Sequence, residues 1–275
     1  MSGKLYIVGT PIGNLGDFSP RGVQTLSEVD FIAAEDTRVS VKLLNHFGIK
    51  KPLISYFEHN KTEKGAQIVK RLLAGETCAL VTDAGTPAIS DPGEELVLQC
   101  HKAGVKVETV PGPSAVITAL AASGMESGRF CFEGFLSVNK ISRKEHLAQL
   151  VGESRTMIFY EAPHKLLNTL KDMLAFFSDR EIALVRELTK VHENVHRTTL
   201  SAAVEFYTEN PPKGEFVLIV AGKAQEAIES EMTLAEAVKM AREFMENGMS
   251  STAAAKAAAA QSGIKKSEIY REIVK

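Results

Sequence analysis

The sequence predicts an α/β protein with two α/β domains and an all-helical C-terminal part. Residues 1–118 alternate short β-branched segments with amphipathic helical segments, residues 119–225 bring strand-like segments closer together, and residues 232–275 show helical patterns only. Regular alternation of strand and helix is typical of a parallel sheet covered by helices on both faces, whereas closely spaced strands favour a mixed sheet. We therefore expect domains at these three ranges, with the polar segment 223–231 as a linker.

The first domain is predicted to contain five strands and four helices. The strands are expected at 5–8, 31–34, 53–56, 78–81 and 105–110, and the helices at 20–28, 39–47, 61–74 and 94–103. Ser19 precedes a proline and is expected to cap the first helix, and Gly48 stands where a helix-ending glycine belongs. Asn60 and Asp91 each stand three residues before a glutamate, which predicts two capping boxes.

The second domain is predicted to contain a mixed sheet and three helices. Its strands are expected at 129–135, 156–160, 182–186, 193–199 and 215–221, and its helices at 143–151, 165–177 and 201–208. The short connections between several of these strands favour antiparallel neighbours.

The C-terminal part is predicted to be a helix-turn-helix, a compact motif of two helices joined by a tight turn. Thr233 and Glu236 predict a capping box for a helix that ends near residue 248. Ser251 is expected to cap the alanine-rich segment 252–262, which Gly263 ends. A last helix follows the basic residues 265 and 266, and its inner face is expected to carry Ile269, Ile273 and Val274.

The composition excludes several classes of protein. The chain has 275 residues, of which 44% are hydrophobic and 24% are charged, and these are ordinary values for a globular protein. The net charge of -2 excludes a basic field over the whole chain, so a nucleic-acid surface has to be local. The three scattered cysteines include no C-x-x-C pair, which argues against a disulfide framework or a zinc ribbon. Because no apolar segment is long enough to span a membrane and no signal-peptide pattern is present, we expect a cytoplasmic protein.

Three turns rich in glycine and proline follow predicted strands. Residues 9–16 follow the first strand, 83–93 the fourth and 111–115 the fifth. The carboxyl ends of parallel strands form one edge of a sheet, where such folds bind ligands. Small residues let a ligand contact the backbone, and prolines keep a turn stiff. None of the three is a dinucleotide fingerprint or a P-loop, and a plain tight turn is the alternative for 9–16.

Eight motifs in order resemble the tetrapyrrole-methylase superfamily and, within it, the ribosomal RNA ribose methyltransferases. They are VGTPIGNLGD (8–17), AEDTR (34–38), FEHN (57–60), LVTDAGTPAISDPG (80–93), PGPSAVITALAASG (111–124), FEGFL (132–136), YEAPHK (160–165) and RELTK (186–190). One departure is Ser137, where the family commonly has proline. The resemblance implies two α/β domains of the tetrapyrrole-methylase type followed by a C-terminal helix-turn-helix.

The resemblance also implies a homodimeric enzyme with S-adenosylmethionine (SAM) as its cofactor. Its activity would be methylation of the ribose 2′-oxygen of a cytidine, cytidine 1402, in the 16S ribosomal RNA of the small subunit. The first domain would provide the SAM and RNA cleft, and the second domain would complete it around the folded cofactor. The residues implied to contact SAM are Pro11, Asp83, Gly85, Thr86, Ile89, Ser114, Ala115, Tyr160 and Glu161. The alternative for Ser114 is a helix N-cap, and Asp91 is better explained as a helix cap than as a ligand contact.

The reaction requires alignment and a proton acceptor. Methyl transfer to a hydroxyl is an in-line displacement, and a ribose hydroxyl benefits from a base that takes its proton. Since the sulfonium carries its own positive charge, we expect no metal. We predict that Asp36 and either Glu58 or His59 act near the 2′-hydroxyl, with Arg38 on a phosphate. The alternatives are an ion pair between Asp36 and Arg38 at a helix start capped by Thr37, and a solvent-exposed His59 without a role.

Two basic segments are candidates for RNA binding. The residues predicted to contact RNA are Lys140, Arg143, Lys144, His164, Lys265, Lys266 and Arg271. From residue 249 onward five cations face two acids, which favours an electrostatic RNA anchor. The alternative is a small helical cap with a solvated charged face.

Three other functions are compatible with the predicted α/β fold or with the basic C-terminal segment. A tetrapyrrole C-methyltransferase shares the fold, but a soluble macrocycle needs no basic tail. A non-enzymatic DNA-binding regulator would use the tail as reader and the larger part as a ligand sensor. A dinucleotide oxidoreductase is disfavoured because the glycine fingerprint is absent.

Overall fold

The computed structural model describes residues 3–224 and 232–275. The chain forms two compact units, Met1–Gly222 and Lys223–Lys275, which are described separately. Most of the predicted linker 223–231 lies outside the described residues. Within the described ranges, no helix is both long and apolar enough to cross a membrane.

The first sheet is parallel throughout and carries its helices on both faces, as predicted. Its strands are β1 (Lys4–Val8), β2 (Phe31–Ala34), β3 (Leu53–Ser55), β4 (Cys78–Val81) and β5 (Lys106–Val110), in the order β3-β2-β4-β1-β5. Its helices are α1 (Pro20–Glu28), α2 (Thr37–His46), α3 (Lys61–Leu73) and α4 (Gly93–Lys102). One face buries a cluster that includes Leu5, Ile68 and Leu96, and the other buries Val8 and Leu26. Because both faces are buried, the inner strands β2 and β4 are apolar throughout, whereas the edge strand β5 carries Lys106 and Glu108.

The second sheet is mixed, which confirms the prediction from its closely spaced strands. It contains β6 (Phe130–Phe135), β7 (Thr156–Glu161), β8 (Glu181–Arg186), β9 (Asn194–Thr199) and β10 (Phe216–Val220), in the order β6-β7-β10-β8-β9. Only β6 and β7 run parallel, and the other pairs are antiparallel. Helices α6 (Lys140–Gln149), α7 (Pro163–Phe177) and α8 (Leu200–Glu209) belong to this half of the unit. Each strand and helix of the first compact unit whose bounds are predicted above begins and ends within three residues of those bounds.

Helix α5 (Ala115–Ser123) connects the two sheets in sequence but packs on the second. Val116, Ala119 and Leu120 are buried against β8 and β10 residues such as Val185 and Val217. The predicted boundary between residues 118 and 119 therefore falls inside a helix, and the division of this unit into two domains stays a prediction.

Two of the predicted helix caps are wrong. The Asn60 side chain accepts from the Phe57 N–H at 2.8 Å and donates to the Ser55 carbonyl at 3.1 Å, so it closes its own loop rather than capping α3. Asp91 likewise accepts from the N–H groups of Ala88 and Gly93, at 2.8 and 3.0 Å. Both side chains stabilise turns beside the carboxyl edge of the first sheet. The other predicted caps at this end of the chain, Ser19 and Gly48, are confirmed.

The described part of the C-terminal unit contains three helices, α9 (Leu234–Glu246), α10 (Ser251–Ser262) and α11 (Lys266–Ile273). The capping box of Thr233 and Glu236 is confirmed. Ser250 rather than Ser251 caps α10, because its hydroxyl accepts from the Ala253 N–H. The helices approach closely because their shared core consists largely of alanine: Ala237, Ala241, Ala255, Ala258 and Ile269. Ile273 packs against this core, but Val274 is exposed, which corrects its predicted inward position.

Candidate active site at the carboxyl edge of the first sheet

The three glycine- and proline-rich turns meet because β4, β1 and β5 are neighbours in the sheet. The Thr10 N–H donates to the Gly85 carbonyl at 2.8 Å, and the Gly85 N–H donates back at 3.2 Å. A Cβ atom on Gly112 would lie 2.6 Å from the Gly9 carbonyl oxygen, so the first and third turns touch through bare backbone. This contact explains why glycine is required at both positions.

A cavity of about 380 Å³, here called the main cavity, opens where these turns face the second sheet. Its volume lies within the range of about 300–1,000 Å³ that small-molecule sites occupy. The first sheet and its turns contribute Ile12, Asp83 and Ile89, and the second half contributes Tyr160 and Val217. The wall is largely apolar, with a few polar groups at defined positions, as expected of a site for an organic ligand.

The turn between β4 and α4 is held in a strained conformation. Ala88 and Ser90 have φ values of 67° and 66°, in the left-handed region that costs a non-glycine residue on the order of 1–3 kcal/mol. The Asp91 carboxylate stabilises this turn through its bond to the Ala88 N–H. Burial raises the pKa of Asp91. Ile89 lies between the two strained residues. Its side chain, although apolar, is 51% exposed and lines the main cavity.

A second and more open pocket, here called the polar pocket, adjoins the main cavity. It has a volume of about 430 Å³ and is lined by Glu35, Asp36, Thr37, Arg38, Ser55, Phe57 and Asp83. Glu35 and Asp83 line both cavities. A ligand in the main cavity and another in the polar pocket would therefore meet at these two carboxylates.

Asp36 and Arg38 form an ion pair at the start of α2. The Arg38 Nη2 lies 2.6 Å from Asp36 Oδ2, and the Asp36 carboxylate also accepts from the Arg38 backbone N–H at 2.8 Å. Asp36 is thus the N-cap, a role predicted as an alternative for Thr37. Its bonds to Arg38 lower the pKa of Asp36 to about 2. A carboxylate held in this way is a weak proton acceptor.

Asp83 differs from Asp36 in its electrostatic environment. Partial desolvation raises the pKa of Asp83, and the negative charges of Glu35 and Asp36 add to the shift. One oxygen accepts from the Asp36 N–H at 3.1 Å, which fixes the carboxyl group at the junction of the two cavities. Glu35 is fixed there too, because its Oε2 accepts from the Thr82 hydroxyl at 2.6 Å.

The residues that the resemblance implied for SAM divide into two groups. Five of them line the main cavity: Asp83, Ile89, Ala115, Tyr160 and Glu161. The other four are Pro11, Gly85, Thr86 and Ser114; they belong to the converging turns, and the Thr86 hydroxyl donates to the Pro113 carbonyl at 3.1 Å. Glu161 is buried, and its carboxylate accepts from the Ala162 N–H at 2.9 Å and the Thr169 hydroxyl at 2.6 Å. Its bonds therefore anchor the start of α7.

Glu58 and His59 are not brought to the junction. Glu58 forms an ion pair with Lys61 at 2.6 Å, and the exposed His59 contacts the Phe57 ring edge-on at 6.2 Å between centroids. Neither residue lines the main cavity or the polar pocket. Their catalytic role stays a prediction that the geometry does not support.

The predicted RNA contacts differ in their availability. Lys140, Lys144 and His164 are exposed. The Arg143 side chain is only 13% exposed, because its guanidinium pairs with Asp172 at 2.7 Å. It also donates to the Ser137 carbonyl at 3.3 Å, so it fastens α6 to α7. In the C-terminal unit Lys265, Lys266 and Arg271 are exposed, and none makes an ion pair with another described residue.

Glu35 lines both cavities and belongs to the AEDTR motif, but it is not among the residues predicted for the site. The available signal was its position directly after β2, which puts its side chain at the carboxyl edge of the sheet. Lys190 and Glu215 also line the main cavity and lie 3.5 Å apart, Nζ to Oε2. Among the described residues, no group of three or more histidine, cysteine or acidic side chains could hold a metal ion.

Comparison with known proteins identifies the family. The sequence profile described as Tetrapyrrole (Corrin/Porphyrin) Methylases matches residues 4–204. The chain belongs to the tetrapyrrole methylase family. This methylase is 47% identical to the ribosomal RNA small subunit methyltransferase I of Synechocystis sp., over 98% of the chain and 96% of the relative. It is also 47% identical to the protein of that name from Haemophilus influenzae, with the same coverage.

Solved structures of the family share the fold of this methylase. The uroporphyrin-III-C-methyltransferase from Thermus thermophilus superposes with a TM-score of 0.57 at 19% identity, covering 80% of this chain and 94% of that one. A diphthine synthase superposes with a TM-score of 0.61 at 16% identity, covering 80% of this chain and 90% of that one. At these identities the likeness shows the fold alone.

The methylase is a SAM-dependent methyltransferase, and the main cavity fits that donor. The backbone contact between Gly9 and Gly112 holds the first and third turns together. Ile12, Ile89 and Val217 would hold the apolar parts of the cofactor. The carboxylates of Glu35 and Asp83 suit a positively charged sulfonium group at the junction.

Proposed function

We propose that the protein methylates the ribose 2′-oxygen of cytidine 1402 in the 16S ribosomal RNA of the small subunit. The observation that carries the substrate is the name of the relatives that match almost the whole chain. The choice of a hydroxyl acceptor is supported by the polar pocket, where carboxylates lie beside the donor cavity. The exposed cations of α11 support an RNA rather than a macrocycle as substrate.

Asp83 is our candidate for the proton acceptor. When bound, SAM supplies a methyl group on a positively charged sulfur, and that sulfur leaves as a neutral thioether. The 2′-hydroxyl proton passes to the Asp83 carboxylate while its oxygen forms the new bond to carbon. Because the pKa of Asp83 is raised while that of Asp36 is lowered, Asp83 is the stronger base of the two.

Arg38 and Asp36 are our candidates for orienting the RNA. The Arg38 side chain is 87% exposed, and its bonds to Asp36 leave N–H donors free for a phosphate. Asp36 holds the guanidinium beside the polar pocket and so restricts its motion. Alignment of acceptor and donor is the larger part of catalysis for such a displacement.

The C-terminal unit is proposed as an RNA anchor. Lys265, Lys266 and Arg271 carry charges that no described acid neutralises, and cations of this kind supply sequence-independent affinity for phosphates. Replacing all three by glutamine should weaken RNA binding and reduce its salt dependence while the affinity for SAM is unchanged. Equal RNA affinity and an equal salt slope in the triple variant would exclude the anchor.

We further propose that the protein acts as a homodimer in the cytoplasm, where small ribosomal subunits are assembled. Sedimentation at several concentrations tests the dimer, and a monomer at the concentrations used for activity would contradict it. The two-domain division of the first compact unit at residue 118 is part of the same proposal.

Transfer of labelled methyl from SAM tests the function. The acceptors are small subunits that lack the modification, with naked 16S RNA and uroporphyrinogen in parallel, and the labelled nucleoside is identified and mapped. We expect 2′-O-methylcytidine at one position of the RNA. Label on a base, on another nucleotide or on the macrocycle would contradict the proposal.

A further inference from the structure

A third cavity lies on the face of the second sheet opposite the main cavity. It has a volume of about 520 Å³ and is formed where β8 ends, β9 begins and α8 ends. Val185 lines the main cavity, whereas the next residue, Arg186, lines this one, as expected from the alternation of side chains along a strand. We call this third cavity the side pocket. It shares no lining residue with the main cavity or the polar pocket.

Arg186 is the charged group of the side pocket. Its Nε is buried without a hydrogen-bond partner, and its guanidinium makes no hydrogen bond or ion pair with any described residue. The nearby carboxylates are engaged elsewhere: Glu187 pairs with Lys190 at 3.1 Å, and Glu193 accepts from the Thr189 N–H at 2.6 Å. A buried guanidinium N–H without an acceptor is costly, so this position favours an anion supplied from outside.

Other polar groups with unused hydrogen-bonding capacity face the same space. The Asn194 amide, the His196 imidazole and the Tyr207 hydroxyl all line the side pocket, and none has a side-chain hydrogen bond to another described residue. Asn194 lies directly opposite Arg186 in the register of β8 and β9. Tyr207 is buried as a residue. Because Asn194 is exposed and His196 is half-buried, both side chains are available to a ligand in the side pocket.

One wall of the side pocket is aromatic. The rings of His196 and Phe206 lie 4.9 Å apart between centroids, and those of Phe206 and Tyr207 lie 5.0 Å apart. Phe206 is 45% exposed, which leaves part of its ring open to a ligand. Exposed aromatic rings next to a basic groove are the usual platform on which nucleobases stack.

We propose that the side pocket binds a nucleoside monophosphate unit, with the phosphate on Arg186 and the base against His196 and Phe206. The planar guanidinium donates two parallel hydrogen bonds to two phosphate oxygens. No described carboxylate pairs with Arg186, so the phosphate would supply the missing acceptors. The unit can belong to an RNA chain or be a free nucleotide, since both present the same chemistry. The site stands apart from the proposed function because it uses none of the catalytic residues.

Calorimetry on the full-length protein, saturated with SAM so that the main cavity is filled, tests the proposal. The probes are cytidine 5′-monophosphate, adenosine 5′-monophosphate, cytidine, inorganic phosphate and a cytidine trinucleotide. We expect the monophosphates to bind, and we expect cytidine or phosphate alone to bind at least roughly tenfold more weakly. Tighter binding of the trinucleotide would identify RNA as the source of the unit, and exclusive binding of the monophosphates would identify a free nucleotide.

Three variants make the test specific. Arg186→Gln should weaken binding of the monophosphates roughly 10- to 100-fold, and Phe206→Leu should weaken it several-fold. Arg129→Gln removes an exposed arginine elsewhere and should change nothing. Unchanged SAM affinity in each variant verifies that the fold is intact. Native binding by Arg186→Gln, or binding of phosphate alone as tightly as of the monophosphates, would overturn the proposal.

Discussion

The main cavity and the polar pocket share Glu35 and Asp83 but are otherwise lined by different kinds of chemical group. The main cavity is formed largely by turn backbone and apolar side chains, held by the Gly9–Gly112 contact and the Asp91 hydrogen bonds. The polar pocket is formed by charged side chains at the end of β2 and the start of α2. A rigid site built from main chain, such as the main cavity, suits a cofactor that always binds in the same way. Exposed charges, such as those of the polar pocket, suit a large anionic substrate.

The largest effect is expected from Asp83→Asn, which acts at the junction. Asparagine keeps an oxygen that can accept from the Asp36 N–H but cannot take the hydroxyl proton. We expect the single-turnover rate, measured at saturating SAM, to fall by roughly 10²- to 10⁴-fold. The native rate should fall on acidification at a pH above the ordinary carboxylate pKa of about 3.9, because the pKa of Asp83 is raised.

Asp17→Asn is the matched control for this substitution, because Asp17 is exposed and lines neither cavity. A native rate in Asp83→Asn would remove Asp83 from the mechanism. Equal losses in the two variants would show that the effect is not specific to the junction.

The next effect is expected from Gly112→Ala, which alters the main cavity alone. The added Cβ would meet the Gly9 backbone at 2.6–2.9 Å, so the turns have to separate. We expect a loss of stability of about 1–3 kcal/mol and a SAM affinity at least about tenfold weaker. Thermal unfolding and calorimetry measure both. Gly128→Ala is the control, since a Cβ there meets nothing within 4 Å, and a native SAM affinity in Gly112→Ala would contradict the role of the contact.

A smaller effect is expected from Arg38→Gln, which alters the polar pocket alone. Losing one phosphate contact should raise the KM for RNA several-fold and lower the magnitude of the salt slope by about 1. SAM affinity should not change, because Arg38 does not line the main cavity. Steady-state kinetics at several salt concentrations measure the effect. A changed SAM affinity with unchanged RNA kinetics would reverse the assignment of the two cavities.

The smallest effect concerns stability as a function of pH, where Asp36 and Asp83 should act with opposite sign. The pKa of Asp36 is lowered to about 2 in the folded protein, so its stabilising contribution is fully present above the ordinary carboxylate pKa of about 3.9 and is lost as the pH falls through about 2. The pKa of Asp83 is raised, so its charged form opposes folding at neutral pH and the penalty fades on acidification. Asp36→Asn should therefore destabilise the protein at pH 7, and Asp83→Asn should not. Denaturant unfolding at pH 7 and pH 3 measures this, and the same sign for both variants would contradict it.

The difference between the two cavities also separates what the sequence could predict from what it could not. The turns of the main cavity are local signals, because each follows an apolar strand directly and consists of glycine, proline and small residues. The polar pocket depends on β2 and β4 being neighbours, which brings Asp36 to Asp83 across 47 residues. Strand order is not encoded in a local pattern, so the sequence does not show that Glu35 lies at this junction or that Glu58 and His59 lie outside it.

The same reasoning applies to the elements outside the site. The strands and helices follow from hydrophobic periodicity, so their bounds were predicted closely. Asn60 and Asp91 satisfied a capping pattern, but their side chains bond within three-dimensional turns that the pattern does not describe. Arg143 looked like a free cation because its partner, Asp172, stands 29 residues away on another helix.

A crystal structure with SAM bound tests the central claim most directly. We predict that the cofactor occupies the main cavity against the three turns, with its methyl group in contact with Glu35 and Asp83 and open to the polar pocket. A cofactor bound elsewhere, or a methyl group directed toward Lys190 and Glu215 at the other side of the cavity, would contradict the account.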